Sequence, residues 1–322
     1  MKRIKMFDLD IIDKIDKYEV NNLEECLALC AKLREKDNLP HRIFIKESSY
    51  LKSFEFPYSN FFIEGAIEIS NSLYGNKLDD DGVKLTTWRT ATLKIKGNNN
   101  IFKGLKIVND AKDSPIKGQE VALAVYGNNN IFIDLIIESS QDTLFIGPLP
   151  DDLCTRYINF LKEDEIGIEG NLHNYFVNCS IKGTVDFVFG AGQASFHRCR
   201  FISLEDNRTS YVFAPAHSLK DDFGFFINES DFISEEVKPS STYLARPWRD
   251  YGKVVINNST YSAHIKEKGF SSWENTTRYL TSRFYEIPLR KARSSFVKTY
   301  VSLPLIYEEE ISILKLIEEK VN

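Results

Sequence analysis

The sequence predicts an all-β chain wound as a parallel β-helix, and three observations lead there. The hexapeptide GNNNIF stands at 97–102 and again at 127–132, a period of 30 residues, each copy followed by an alternating apolar segment, LKIV or LIIE. Looser copies recur as YFVNCSI at 175–181, SFHRCRF at 195–201, FFINESDF at 225–232 and VVINNSTY at 254–261. Units of this length, with short strands rich in Ile, Val, Phe and Tyr, cannot bury their own faces and must stack on neighbours. The hairpin signals that a sandwich or propeller needs are few, and the regularly offset Asn runs suit side-chain ladders running from coil to coil.

The remaining elements follow in chain order. Asn22 to Lys36 carries apolar residues at helical spacing, with Cys26 and Cys30 on one face, and reads as an N-terminal helix capping the first coil. Residues 147–171, with Pro148, Pro150, Gly167 and several acids, fit no coil and read as an inserted loop leaving the β-helix body. A helical tail is expected over 300–322, helix-like from Ile306 to Val321 and packed along the outside. All 322 residues are read as one domain, since repeat folds run long as single units.

Composition narrows the class. Hydrophobic residues at 43% and charged residues at 27% are ordinary for a globular protein, and 23 Phe suggest stacked apolar layers. A net charge of −5 argues against nucleic acid as a partner, and an acidic substrate would need a local basic cluster, none of which appears as a run. No segment approaches 18 uninterrupted apolar residues, so no membrane span is expected. The first residues lack the apolar core of a signal peptide, so a cytoplasmic monomer is expected, with secretion the alternative if a leader has been removed. Five cysteines make no disulfide framework. Cys179 and Cys199, 20 apart in equivalent coil positions, are expected as stacked reduced thiols, a disulfide being the alternative.

Five polar residues stand out: Gln119 in GQEVALAV, Gln141 and Asp142 in QDTLF, Asp186 in GTVDFVFG and Arg246 in YLARPWRDY. Asp186 is the sharpest, an acid where an apolar strand residue is expected and seldom buried without a partner. Alone, Asp142 reads as a turn residue, Arg246 as a partner of Asp250 and Gln119 as a solvated turn; the weight comes from all five occurring with their flanks. Two carboxylates, two amides and a guanidinium suffice to hydrolyse an ester without serine, histidine, metal or cofactor, and no G-x-S-x-G elbow is present.

From about residue 40 to 290 the chain resembles the pectin methylesterases (pectinesterases). QDTLF is similar to that family's QDTLY, GTVDFVFG to GTVDFIFG, YLARPW to YLGRPW, GQEVALAV to its glutamine-bearing QAVAL segment and RIFIKESSY to its early IKPGXY strand. The resemblance implies a single-stranded right-handed parallel β-helix that removes methyl esters from the C6 carboxyl of galacturonate units in pectin or methylated oligogalacturonides. Carried onto this chain, it makes Asp186 the nucleophile, Asp142 the general acid and then base, Gln119 and Gln141 the oxyanion donors, and Arg246 the partner of Asp186. Arg246 is expected to lower the Asp186 pKa, while the Asp186 charge and apolar Leu144 and Phe145 raise that of Asp142.

Trp248, Phe187 and Phe145 are expected to offer ring faces to sugars, with core packing the other reading of Phe187, and Trp273 is expected to be structural. Departures from the family are Phe145 for tyrosine, Ala245 for glycine, the altered IKESSYLK strand, and a gap of 44 residues between Asp142 and Asp186, about twice the usual separation. FIGPLP resembles a bacterial subgroup without signal peptides, which implies short oligogalacturonides as substrates. Competing readings are a polygalacturonase, a Ca²⁺-dependent pectate lyase using Asp79, Asp80 and Asp81, which otherwise read as a solvated turn, and an inactive carbohydrate-binding β-helix.

Overall fold

The computed structural model describes residues 9–46, 49–111, 118–161 and 172–321. Short apolar strands turn the chain through three faces per coil, with two-residue corners such as 104–105, 134–135 and 178–179 alternating with longer connections. The result is a right-handed parallel β-helix of three sheets. A ten-stranded sheet runs from Lys17–Val20 to Arg283–Ile287, an eight-stranded sheet from Ser49–Leu51 to Thr260–Tyr261, and a seven-stranded sheet from Phe54–Phe56 to Thr242–Ala245. Pairing is parallel and in step, so that Ile101, Ile131 and Tyr175 stand one above another.

The GNNNIF repeat explains this register atom by atom. The Phe61 N–H donates to Asn100 Oδ1, the Asn100 N–H to Asn130 Oδ1 and the Asn130 N–H to Asn174 Oδ1, each at 3.0 Å. Their side-chain amides donate to Tyr58, Gly97 and Gly127 carbonyls at 2.9–3.0 Å. All three Asn are buried, so the ladder satisfies backbone groups that water cannot reach. The middle asparagines, Asn99 and Asn129, take the left-handed conformation with φ of 55° and 56°, which Asn tolerates better than most residues. Gly127 opens its repeat because a Cβ there would lie 1.9 Å from the Gly97 carbonyl oxygen.

Inside, Phe102, Phe132, Phe176 and Phe196 stack in a column with centroids 4.6–5.6 Å apart. Cys179 and Cys199 are free thiols, and each donates to a carbonyl at 3.4 Å, of Phe132 and Phe176. The reduced ladder expected from their spacing is what forms.

Helix α1 (Leu23–Lys36) starts after Asn22, whose side chain caps the Glu25 N–H at 2.8 Å. Its Leu23, Cys26, Cys30 and Leu33 close the open end of the interior. The strand Lys17–Val20, which precedes it and pairs with His41–Ile45, has no counterpart in the sequence-based reading. In the expected loop at 147–171, residues Asp151–Arg156 form a short helix, α2. Residues 149–161 pack on the outer face of the seven-stranded sheet instead of leaving the body. The cause is an apolar stripe at four-residue spacing: Leu149, Leu153, Tyr157 and Leu161 pack on Trp88, Ala124, Phe145 and Phe189. Residues 162–171, Gly167 among them, lie outside the described residues, as do Glu47 and Ser48 of the RIFIKESSY strand.

Helix α3 (Leu305–Val321) covers the outer face of the ten-stranded sheet with Tyr307, Leu314, Ile317 and Val321. Glu310 anchors it, accepting from Ser195 at 2.5 Å and lying 3.0 Å from His173. The acidic run at Asp79 is a turn, with Asp79 Oδ1 accepting from the Asp81 and Val83 N–H groups. No helix among the described residues is long and apolar enough to cross a membrane.

Removing one rung tests the ladder. Asn130→Ala strands the Asn100 N–H and the Gly97 carbonyl, at about 1–3 kcal/mol for each group left unpaired. The denaturation midpoint should fall with an unchanged slope; an unchanged midpoint would show that water replaces the rung.

Candidate active site

The five polar residues come from four coils, those of Gln119, Gln141 with Asp142, and Asp186 in succession and that of Arg246 beyond one intervening coil, and meet on the outer side of the seven-stranded sheet. Gln119 and Gln141 stand just ahead of the strands Leu123–Val125 and Leu144–Ile146, and the Glu120 N–H donates to the Gln141 carbonyl at 2.9 Å, holding the two in line. Asp142 is tied to the next coil through its N–H to the Val185 carbonyl at 3.1 Å. Asp186 lies in the strand Val185–Gly190, and Arg246 directly follows Thr242–Ala245.

Local backbone irregularity aims the two acids. Asp142 and Asp186 both sit at positive φ, 64° and 52°. Between Val185 and Val188 the pairing shifts, three steps along this strand answering two along Tyr211–Phe213. This is a bulge, a device that re-aims a side chain at the cost of a ladder bond. Asp186 faces the cleft while the next residue, Phe187, goes inward. Gly183 makes the inward turn feasible, since a Cβ there would lie 2.2 Å from Phe187 Cβ.

Arg246 grips Asp186 with two bonds, Nε to Oδ1 at 2.8 Å and Nη2 to Oδ2 at 2.6 Å. Its guanidinium lies 3.9 Å from the Tyr211 ring and 4.2 Å from the Trp273 ring, so stacking fixes the plane from which the fork reaches the carboxylate. The pairing with Asp186 is the one expected; the other reading, a pairing with Asp250, is not what forms, and Asp250 lies 3.9 Å from Arg278.

The two carboxyls differ as acids. Burial pushes the Asp142 pKa well above the usual carboxylate range, the Asp186 charge adds to the rise, and Arg246, Gln141 and Arg208 offset only part of it. Burial also raises the Asp186 pKa, where the expectation was a lowering; the bonds and charge of Arg246 pull it back without cancelling the desolvation. The difference between the two acids keeps the expected sense: Asp186 holds a guanidinium at two points and Asp142 holds none.

All five residues and Trp248 line one cleft of about 470 Å³. Phe145 and Phe187 do not reach it. Phe145 is 1% exposed under α2 and Phe187 is 0% exposed in the interior, so neither has a free ring face and the sugar-contact reading is corrected for both. Trp273, expected to be structural, lines the cleft as well as backing Arg246. Arg156, Arg249 and Arg278 join Arg246 around it, a basic cluster assembled from distant segments and invisible as a run. A larger cavity of about 580 Å³ between Pro148–Asp152 and the loops at 216–221 and 249–251 holds none of the five. Asp152 and Arg249, bonded at 2.7 and 2.9 Å, line both spaces and separate them.

Comparison with known proteins places this geometry. A family model described as Pectinesterase matches residues 14–148 and 170–302, breaking off across the segment that contains α2. A pectinesterase of Petunia integrifolia is 27% identical over 261 residues, 78% of this chain and 63% of the relative. Pectinesterase 3 of Phaseolus vulgaris is 25% identical over 283 residues, 85% of this chain and 43% of that one. The chain thus spans less than two thirds of the length of these curated relatives. Among solved structures, the pectin methylesterase from Yersinia enterocolitica superposes with a TM-score of 0.69 at 22% identity, over 90% of this chain and 99% of the other. A pectin methylesterase in complex with a hexasaccharide gives 0.67 at 23%, over 85% and 88%. With the family model matching most of its length, the chain belongs to the pectinesterase family.

Proposed function

We propose that this chain is a pectin methylesterase that hydrolyses the C6 methyl ester of galacturonate units and releases methanol. The observation that carries the reading is the unequal pair of carboxyls in one cleft, Asp186 clamped by Arg246 and Asp142 without a basic partner bonded to it. Asp186, ionised, attacks the ester carbonyl carbon, and the negative charge that develops on the carbonyl oxygen is met by the Gln119 and Gln141 amide N–H groups. Asp142, protonated, gives its proton to the methoxy oxygen as the C–O bond breaks, so methanol leaves neutral. Asp142, now ionised, takes a proton from water, whose oxygen attacks the acyl–Asp186 anhydride. The galacturonic acid departs with Asp186 ionised and Asp142 protonated again, and gives its own proton to solvent.

Trp248 and Trp273 supply apolar faces for sugar rings in place of Phe145 and Phe187. Segment 149–161 supports methylated oligogalacturonides as preferred substrates: α2 lies across the outside of the sheet and is bonded to Arg249 through Asp152, and Phe160 in the turn that follows is held by Arg89. A trough closed in this way accepts short chains or chain ends more readily than a long polymer.

The roles are separable by substitution. Asp186→Asn keeps the shape and removes the nucleophile, so methanol release should drop by orders of magnitude with oligogalacturonide binding retained. Near-normal turnover in that variant would replace covalent catalysis by direct water attack with Asp142 as base. Gln141→Ala should cost about 2.7–4 kcal/mol of transition-state stabilisation.

Asp142→Asn should be as inactive as Asp186→Asn, yet more stable than the native chain. A carboxyl raised above its unfolded value of 3.8 contributes fully below that value and loses its contribution as pH climbs through the folded value. Melting curves should therefore lie closest at acid pH and separate in favour of Asp142→Asn as pH rises; no separation would mean that folding does not raise the Asp142 pKa.

Chain length is tested by comparing methanol release from methylated tri- to hexagalacturonates with release from polymeric pectin. Oligomers should be turned over faster, and faster turnover of pectin would remove the closed-trough reading while leaving the chemistry intact.

A further inference from the structure

We propose that Arg208 is a positioning residue for catalysis, fixing the Gln141 amide so that its NH₂ group and not its carbonyl oxygen faces the reacting ester. This rests on the oxyanion role given to Gln141 above. The two ends of a glutamine amide have nearly the same shape, and a half-turn about the last torsion exchanges them. In one orientation the site offers N–H donors to a developing oxyanion; in the other it offers a lone pair that repels it.

The structure contains a device that selects between them. Arg208 Nη1 donates to Gln141 Oε1 at 2.7 Å, and a guanidinium has donors only, so only the oxygen end is accepted there. The other end is left for the cleft, where the Gln141 amide bonds to Asp142. Arg208 is itself immobilised. Its Nε and Nη2 donate to Asp206 Oδ1 and Oδ2 at 3.0 and 2.8 Å, and its backbone N–H donates to Asp206 Oδ1 at 2.8 Å. With the fork committed to Asp206, Nη1 is the arm that projects.

The placement depends on coil stacking. Arg208 lies in the connection between the strands Arg200–Ser203 and Ser210–Pro215, 67 residues from Gln141. It is about half exposed and lies outside the set of residues lining the cleft, so it acts on substrate through Gln141. The Asp206 side of the pair is only 10% exposed, so any loss of stability is measured separately by melting, and orientation is read from the kinetic cycle.

The experiment is a double-mutant cycle on methanol release from a methylated oligogalacturonide. Arg208→Ala should lower kcat about 10- to 100-fold, the scale of lost outer supports at active sites, with KM little changed. In a Gln141→Ala background the same change should have no further effect. Equal losses in both backgrounds, or a native kcat in Arg208→Ala, would overturn the proposal. Arg208→Lys keeps a charge without the fork and should fall between native and Ala; the cycle is run with it if Arg208→Ala does not fold. An atomic-resolution structure of the Arg208 variant gives a readout independent of turnover: Gln141 held in the same orientation without Arg208 also overturns the proposal. Absence of methanol release from the native chain would count against the esterase reading alone.

Discussion

Coil-on-coil register without slip is the constraint on which the rest of the molecule depends. Neighbouring strands in a sheet lie about 4.8 Å apart, so a side chain repeated at the same position of successive coils meets its counterpart at contact distance. Gln119 and Gln141 are 22 residues apart, Asp142 and Asp186 44, Asp186 and Arg246 60, and each pair becomes adjacent only because the intervening chain closes whole coils. A one-residue slip would turn interior side chains outward. The buried Asn100–Asn130–Asn174 ladder resists it, since each rung satisfies the backbone N–H of one particular residue on the preceding coil.

On that regular frame the cleft concentrates irregularity: a bulge, two acids at positive φ and two carboxyls raised by burial. Each is unfavourable for folding, and such features persist where the surroundings over-determine them. Here the surroundings are the core residues Leu144, Phe187 and Val188 of the same sheet and Arg246, stacked between Tyr211 and Trp273. The cationic lining is likewise a product of coil closure, for Arg156, Arg246, Arg249 and Arg278 come together in a chain whose net charge is −5.

What the sequence revealed was what local chemistry encodes. GNNNIF announced both the coil and its corner because Gly and Asn carry the turn geometry themselves, and the spacing of Leu23, Cys26, Cys30 and Leu33 marked the cap. The aromatic side of the cleft was misread. Phe145 and Phe187 adjoin cleft residues in sequence, but strand alternation under α2 buries the first and a bulge sends the second inward. Pro148 and Pro150 concealed the Leu149, Leu153, Tyr157, Leu161 stripe by suggesting a loop. Lys17–Val20 is a strand mainly through its pairing with His41–Ile45, and Arg208 sits in no motif at all; contacts of this kind exist only after stacking.

The positive φ of Asp142 and Asp186 bears on why both acids are aspartates. The left-handed region is open to few side chains, with Asn and Asp the best suited after Gly. Glu229 and Glu236 take similar φ, 49° and 56°, elsewhere in the chain, so the backbone disfavours a glutamate without forbidding it, and one extra methylene would displace the carboxyl as well. The same restriction narrows the routes by which the cleft can lose its carboxylates during evolution. Asparagine is the replacement the backbone accepts most readily, and descendants that keep the β-helix while abandoning the chemistry would carry it at 142 and 186.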